Sequence, residues 1–169
     1  MTGMPASGKT TLARLLGKRL SLPVIEKDTI KETLFDTLGA PDVEASQRLG
    51  RATYALIFAT ADALLAAGTS LVAEANFFRG ADEPRFAALP PHRVVQVHCH
   101  APLDVLVDRY TNRPARHAGH HDSTRVDELR ARYDSGSNGP LDLDGELIEL
   151  DTTTAPAAQL AAEVAERLA

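Results

Sequence analysis

The sequence predicts an α/β protein in which a parallel β-sheet carries helices on both faces. Short apolar segments alternate along the chain with segments whose apolar residues recur at helical spacing. The apolar segments are nearly continuous, as expected for strands buried on both faces. No linker or internal repeat divides the 169 residues, so we expect one domain, residues 1–169.

The first half of the chain contains two predicted strands and three predicted helices. Leu12, Leu16 and Leu20 share one face of a helix that begins at Lys9. The remaining elements are a strand over Pro23–Asp28, a helix from about Thr29 through Phe35 that Gly39–Pro41 breaks, a helix from about Val43 to Ala67 that Gly68 ends, and a strand over Ser70–Asn76.

The second half continues the same alternation. Pro102 stands at a position that proline tolerates in the first turn of a helix. The predicted elements are a short helix over Glu83–Leu89, a strand over Arg93–His100, a helix over Leu103–Arg113, a polar loop over Pro114–Ser123, a helix over Val126–Tyr133, a strand over Glu146–Asp151 and a closing helix over Ala157–Leu168.

Composition narrows the class of protein. Hydrophobic residues make up 44% of the chain and charged residues 24%, which is typical of a globular protein. The net charge of −5 argues against an extended nucleic-acid partner, although a small basic cleft remains compatible with it. No apolar run approaches the roughly 20 residues of a membrane helix, and the single cysteine, Cys99, allows no internal disulfide. We expect a cytoplasmic protein without a membrane partner; its oligomeric state is not predicted.

A phosphate-binding loop stands near the start, where Gly3 to Thr10 reads G-M-P-A-S-G-K-T. Its glycines allow main-chain N–H groups to turn toward a phosphate, while Lys9 supplies charge to the β- and γ-phosphates. The Thr10 hydroxyl suits Mg²⁺, so the motif predicts ATP and Mg²⁺ as cofactors. The predicted nucleotide-binding residues are Gly3, Met4, Pro5, Ala6, Ser7, Gly8, Lys9, Thr10 and Thr11.

With this loop, the alternation and the length, the chain resembles the small P-loop kinases of the nucleoside-monophosphate-kinase-like class. It is most similar to uncharacterised predicted kinases (AAA-family ATPase-like) and to the kinase domain of polynucleotide kinases. The resemblance implies a three-layer α/β/α fold with strand order 2-3-1-4-5 and a lid around residues 109–133. In such kinases a central strand precedes the loop, and Met1–Thr2 is too short to supply it. We therefore expect this strand to be missing and the true start to lie about 8–10 residues upstream.

Asp28 ends the second predicted strand, at the edge of the sheet where such folds bind ligands. The surrounding stretch, E-K-D-T-I-K, is similar to the Arg-Asp-Asp-x-x-Arg stretch of polynucleotide kinases. That resemblance implies Asp28 as general base and Lys31 as an acceptor-binding cation, although a lysine lacks the bidentate geometry of the family's arginine. Alternatively, Asp28 caps the helix that begins at Thr29.

Glu74 and Asn76 end the next strand at the same edge of the sheet. Related kinases carry an acidic residue in a similar stretch that reaches Mg²⁺, directly or through water, or the acceptor. The resemblance therefore implies Glu74 as an indirect Mg²⁺ ligand or substrate contact, and Asn76 as a substrate contact. A strand-end carboxylate in solvent is the alternative for Glu74.

Arg109, Arg113 and Arg116 are spaced by four and then three residues. The group resembles the lid arginines of these kinases, which neutralise charge on the phosphoryl group during transfer. Arg113 and Arg116 are the stronger candidates, and a solvated helix face is the alternative.

Two further segments allow more than one interpretation. His117, His120, His121 and Asp122 invite a metal site, but their spacing matches no metal motif, and a polar lid explains them more simply. Thr152 or Thr153 lies on the loop that is beside the adenine in related kinases, or caps the last helix.

The sequence thus predicts an ATP-dependent kinase that phosphorylates a hydroxyl of a small molecule or of a nucleic-acid end. Two alternatives remain: a nucleotide-binding regulatory or toxin-like ATPase without a small-molecule acceptor, and an N-terminally truncated inactive fragment. The predicted catalytic residues are Lys9, Asp28, Arg113 and Arg116.

Overall fold

The structure, a computed structural model, describes residues 1–112, 117 and 126–168. The predicted elements agree with it to within three residues at each end where both are described. In chain order they are β1 Thr2–Gly3, α1 Lys9–Leu20, β2 Val24–Glu26, α2 Lys27–Leu38, α3 Val43–Ala66, β3 Val72–Glu74, α4 Glu83–Ala87, β4 Val94–His100, α5 Leu103–Asn112, α6 Val126–Ser135, β5 Gly145–Asp151 and α7 Ala157–Leu168.

All strand pairs in the described residues are parallel. Strand β4 lies between β1 and β5 in a three-stranded sheet, and β2 pairs with β3 in a two-stranded sheet. Strands β4 and β5 pair along their full lengths, which places His100 opposite Asp151 at their carboxyl ends. The α/β class with parallel strands is therefore confirmed.

The first strand was expected to be missing, yet it is present over two residues. Thr2 and Gly3 pair with His98 and Cys99 of β4. On the other side, the amino group of Met1 donates to the carbonyl of Ala73 at 2.8 Å, and the N–H of Ala75 donates to the carbonyl of Met1 at 3.4 Å. The short strand thus has main-chain contacts with both neighbouring strands.

A cleft of about 360 Å³ adjoins this short strand. Leu71 and Ala73 line one side of it and residues 94–96 the other. Ile57 of α3 and Phe77 contribute apolar surface. The cleft therefore separates the amino-terminal parts of β3 and β4, which are not paired with each other.

Helices cover both faces of the β4 region. Val97 packs with Leu12 and Leu16 of α1 and with Val164 of α7 in one buried cluster. The neighbouring Gln96 points to the opposite face, since side chains alternate along a strand. There its amide exchanges two hydrogen bonds with the main chain of Leu141, whose side chain belongs to a second buried cluster that includes Ile57 and Phe77.

Helix α3 is long and apolar enough to cross a membrane when judged by length and composition alone. One helix of this kind is weak evidence for a membrane span, because a core helix of a globular protein passes the same test. Its most buried residues recur along one side and face the rest of the protein: Ala45, Leu49, Thr53, Ile57 and Ala61. That pattern is typical of a helix packed on a protein core.

Two glycines inside helices give a matched test of the packing. A Cβ at Gly17 of α1 would collide with the side chain of Val24 and lie 3.1 Å from the carbonyl oxygen of Leu22, whereas a Cβ at Gly50 of α3 has nothing within 4 Å. We expect Gly17→Ala to lower the free energy of unfolding by about 1–3 kcal/mol through overpacking. Gly50→Ala should raise it by about 0.5–1 kcal/mol, because alanine is the better helix former. Urea unfolding followed by circular dichroism measures both, and a Gly17→Ala protein as stable as the wild type would contradict the close approach of α1 to β2.

Candidate active site

The segment from Gly3 to Gly8 forms a tight loop between β1 and α1. Ala6 and Gly8 adopt left-handed backbone conformations, with φ of 64° and 84°. Gly3 has φ of 137°, and a Cβ there would collide with the carbonyl oxygen of Cys99. The loop therefore requires glycine at position 3 both for its conformation and for its approach to β4.

This loop fits a bound phosphate. Helix α1 begins directly after Gly8, and no side chain caps its N-terminus. Its first N–H groups and the positive end of its dipole therefore remain available for an anion. Ser7 is fully buried in the loop, and its Oγ has no hydrogen-bond partner in the part of the chain that the structure describes. An unsatisfied donor at this place suits a ligand with acceptor oxygens.

Lys9 is buried at the base of the loop, with only 7% of its surface exposed. Its Nζ lies 3.6 Å from Oε1 of Glu74 and 3.4 Å from the carbonyl oxygen of Met4. Burial lowers the pKa of Lys9, while the charge of Glu74 opposes this shift. Glu74, the last residue of β3, is itself only 2% exposed. The buried charge of Lys9 is therefore compensated by that of Glu74, and the reverse.

Asp28 does not stand where the sequence analysis put it. Strand β2 ends at Glu26 and helix α2 begins at Lys27, so Asp28 lies in the first helical turn and is not the cap of a helix starting at Thr29. The extended residue Glu26 occupies the N-cap position. The Asp28 side chain is 28% exposed, and its Oδ1 lies 3.1 Å from Nζ of Lys27. A carboxylate in the first turn favours helix formation through the helix dipole, and it remains accessible to a ligand.

Glu26 is a charged residue to which the sequence analysis assigned no role. Arg14 of α1 donates two hydrogen bonds to its carboxylate, each of 2.6 Å, and the hydroxyl of Thr29 donates a third. These hydrogen bonds, that of Arg14 foremost, lower the pKa of Glu26. In the sheet, Glu26 pairs in register with Glu74, so two strands end side by side in carboxylates that α1 neutralises with Arg14 and Lys9.

The remaining residues of this side lie on α2 and after β3. Lys31 follows Asp28 by three residues on α2, which places the two on one side of the helix. Asn76 follows the end of β3, and its main-chain carbonyl accepts hydrogen bonds from the hydroxyl of Tyr54 at 2.9 Å and from the amide of Asn138 at 3.5 Å. Asn138, which the sequence analysis missed, also donates to the carbonyl of Phe77 at 3.1 Å. These contacts fix the segment that carries Asn76.

The site has a second side at the carboxyl ends of β4 and β5. The guanidinium of Arg109 donates to Oγ1 of Thr152 at 2.9 Å and to its carbonyl oxygen at 3.0 Å. The Thr152 side chain also lies beside Gly8 of the loop, where a Cβ on Gly8 would be 3.7 Å from it. Thr152, one of the two threonines considered for the turn after β5, therefore lies beside the phosphate loop.

Part of the predicted lid lies outside the described residues, namely Arg113, Arg116, His120, His121 and Asp122. His117 is described: its Nε2 lies 2.8 Å from Oδ1 of Asp36, and its ring packs edge-on against Phe35. His117 thus contacts the C-terminal part of α2, the helix that carries Asp28.

Thr10 and Glu74 are chemically suited to Mg²⁺. Thr10 lies in the first turn of α1 and is partly exposed, and Glu74 ends the strand beside Lys9. Within the described ranges no group of three or more His, Cys, Asp or Glu side chains is arranged to hold a metal. Mg²⁺ in phosphate-transfer sites commonly uses one or two protein oxygens together with substrate phosphates, and this donor set fits that mode.

Comparison with known proteins agrees with the geometry. The sequence matches the family described as an AAA domain over residues 1–135. A candidate kinase from Chloroflexus aurantiacus J-10-fl is 35% identical over 99% of this chain and 96% of that one, with a TM-score of 0.86. The comparison with curated proteins finds no match.

More distant structures share the fold alone. A sugar kinase from Janibacter sp. HTCC2649 is 21% identical, with a TM-score of 0.68 over 98% of this chain and 90% of that one. The APS kinase of Mycobacterium tuberculosis, solved with AMPPNP and APS, is 18% identical, with a TM-score of 0.54 over 99% and 94%. Because the family match spans most of the chain and the 35% identical relative aligns over nearly its whole length, this chain belongs to the AAA-domain family and, within it, to the small P-loop kinases.

Proposed function

We propose that this protein transfers the γ-phosphoryl group of ATP, with Mg²⁺, to a hydroxyl group of a small molecule or of a nucleic-acid end. The observation that carries the proposal is the phosphate loop with its buried Lys9–Glu74 pair, next to the accessible carboxylate of Asp28. Related folds with a named acceptor include a sugar kinase, a gluconokinase and a shikimate kinase, which supports the small-molecule half of the proposal.

Bound ATP and Mg²⁺ supply the phosphoryl donor and the counter-charge for its oxygens. The main chain of the loop and the N-terminus of α1 bind and orient the phosphates. Lys9 provides a charge that is already desolvated, so its attraction for the phosphates is stronger than that of a solvated lysine. Thr10 and Glu74 would hold Mg²⁺, and Arg113 and Arg116 would neutralise charge on the transferred group.

Asp28 would accept the proton of the acceptor hydroxyl. Its negative charge, together with that of Glu74, opposes the lowering of the Lys9 pKa by burial. Lys31 and Asn76 would contact the acceptor beside it. A general base must lie within hydrogen-bond reach of the hydroxyl, and a partly exposed side chain at the start of α2 meets this need.

An acceptor screen tests the proposed function. We expect at least one class among sugars, nucleosides, hydroxylated antibiotics and 5′-hydroxyl oligonucleotides to raise ADP release above the rate without acceptor. Lys9→Met should abolish release in both conditions, which controls for contaminating enzymes. If no class raises the rate although the protein hydrolyses ATP, an ATPase without a small-molecule acceptor replaces the kinase.

The role of Asp28 has its own test once an acceptor is found. Asp28→Asn should lower kcat by about 10²- to 10⁴-fold, the range expected for loss of a general base, with an unchanged dissociation constant for ATP. Assays of ADP release measure kcat, and isothermal titration calorimetry measures the dissociation constant for ATP. Asp62→Asn, an exposed site on α3, is the matched control and should behave as the wild type. Full turnover by Asp28→Asn would remove Asp28 from the mechanism.

We further propose that the strands form one sheet in the order β2-β3-β1-β4-β5. Met1 bonds to β3 while Thr2 and Gly3 pair with β4, which supports β1 as the strand between them.

A further inference from the structure

Arg14 of α1 binds the residue that precedes helix α2. Its Nε donates to Oε1 of Glu26 and its Nη2 donates to Oε2, so one guanidinium binds both oxygens of the carboxylate. The Arg14 side chain is 64% exposed, whereas that of Glu26 is only 10% exposed. Exposed ion pairs contribute little as a rule, but a bidentate arginine fixes both the distance and the angle of its partner. The pair therefore sets the orientation of the Glu26 side chain relative to α1.

Glu26 also connects this ion pair to the first turn of α2. The hydroxyl of Thr29 donates to Oε2 of Glu26 at 2.8 Å, and this is the oxygen that Nη2 of Arg14 also binds. Glu26 is the N-cap residue of α2, and its carboxylate makes no capping bond to the main chain. Instead, the carboxylate links a side chain of α1 to a side chain of α2.

Helix α2 has few buried contacts that could fix its start in another way. None of its residues, Lys27–Leu38, is buried, and Ile30 packs against the core while only partly buried itself. Asp28 lies between Glu26 and Thr29 in the same turn. The place of its carboxylate therefore follows that of the turn, which hydrogen bonds of Glu26 hold from both sides.

One helix thus carries a contact to each half of the chemistry. Helix α1 begins with Lys9 of the phosphate site and presents Arg14 five residues later. Lys9 pairs with Glu74 at the end of β3, and Arg14 pairs with Glu26 at the end of β2. The distance from the phosphate site to the Asp28 turn is therefore set through α1.

We infer that Arg14 is a positioning residue for phosphoryl transfer: through Glu26 it holds the first turn of α2, so that the Asp28 carboxylate reaches the attacking hydroxyl. This inference rests on the proposed function, because it assumes that Asp28 is the general base. Arg14 acts through Glu26 and contacts neither ATP nor the acceptor.

The test measures ADP release from Mg²⁺-ATP, once with water as the phosphoryl acceptor and once with the acceptor that responds in the screen. In either reaction the attacking oxygen bonds to the γ-phosphorus, the bond from that phosphorus to ADP breaks, and the proton of the attacking oxygen passes to Asp28. The variants are Arg14→Gln, Arg14→Lys, Glu26→Gln, Thr29→Val and Asp28→Asn, together with the double variants of Arg14→Gln with Glu26→Gln and with Asp28→Asn.

Arg48→Gln is the matched control, because Arg48 forms an exposed ion pair with Glu44 within α3. It should behave as the wild type. Isothermal titration calorimetry measures the dissociation constant for ATP of each variant, and urea unfolding followed by circular dichroism verifies that each is folded.

We expect Arg14→Gln to lower kcat by about tenfold or more with an unchanged dissociation constant for ATP, because a displacement of about 1 Å can cost about 100-fold in rate. Arg14→Lys should lose as much, because lysine lacks the bidentate geometry. Thr29→Val should lose less, because it removes one of the three hydrogen bonds to Glu26.

The double variants separate positioning from a general loss of structure. Arg14→Gln combined with Glu26→Gln should be no slower than the slower single variant, because both remove the same contact. In the Asp28→Asn background, Arg14→Gln should have no further effect on kcat, because the base that it positions is gone.

Four results would overturn the inference: a wild-type kcat of Arg14→Gln, a wild-type kcat of Arg14→Lys, a loss explained entirely by weaker ATP binding, or an undiminished effect of Arg14→Gln in the Asp28→Asn background. A wild type that releases no ADP with either acceptor contradicts the proposed function itself, and so does wild-type turnover by Asp28→Asn. The two failures are therefore distinguishable.

Discussion

The buried pair of Lys9 and Glu74 is the interaction on which the site depends. A lysine with 7% exposure cannot remain charged without compensation, and Glu74 at 3.6 Å supplies it. The pair joins the start of α1, directly after the phosphate loop, to the end of β3. Removing either partner leaves the other charge buried and unpaired. The position of the phosphate loop is therefore coupled to the position of β3 in the sheet.

The site that results is asymmetric. Carboxylates gather where β2 and β3 end, and Arg109 with a turn of threonines lies where β4 and β5 end. The phosphate loop stands between these two sides. The described residues therefore present carboxylates on one side of the loop, and a guanidinium with hydroxyl groups on the other.

Local signals in the sequence predicted most of the elements. Helical spacing of leucines in α1 and the apolar run of β4 determine those segments without help from distant residues. The start of α2 was misplaced by two residues, because Glu26 takes the N-cap position without a side-chain capping bond and so leaves no capping signal in the sequence. The contacts of Arg109 with Thr152 and of Asn138 with Phe77 join residues 43 and 61 positions apart, and no local pattern encodes such pairs. The first strand pairs over only two residues, Thr2 and Gly3, with main-chain partners on both sides, and no side-chain pattern marks so short a segment.

The register that sets Glu26 beside Glu74 has a consequence for the thermodynamics of ligand capture. The like charges of Glu26 and Glu74 at adjacent strand ends repel each other. Helix α1 compensates both of them, Glu26 through Arg14 and Glu74 through Lys9. Helix α1 is therefore held by ion pairs at two points along its length. Rotation of the helix about its axis would separate the charges of both pairs. Its orientation is set before any nucleotide arrives, so binding a phosphate requires little ordering of the main chain and loses correspondingly little entropy.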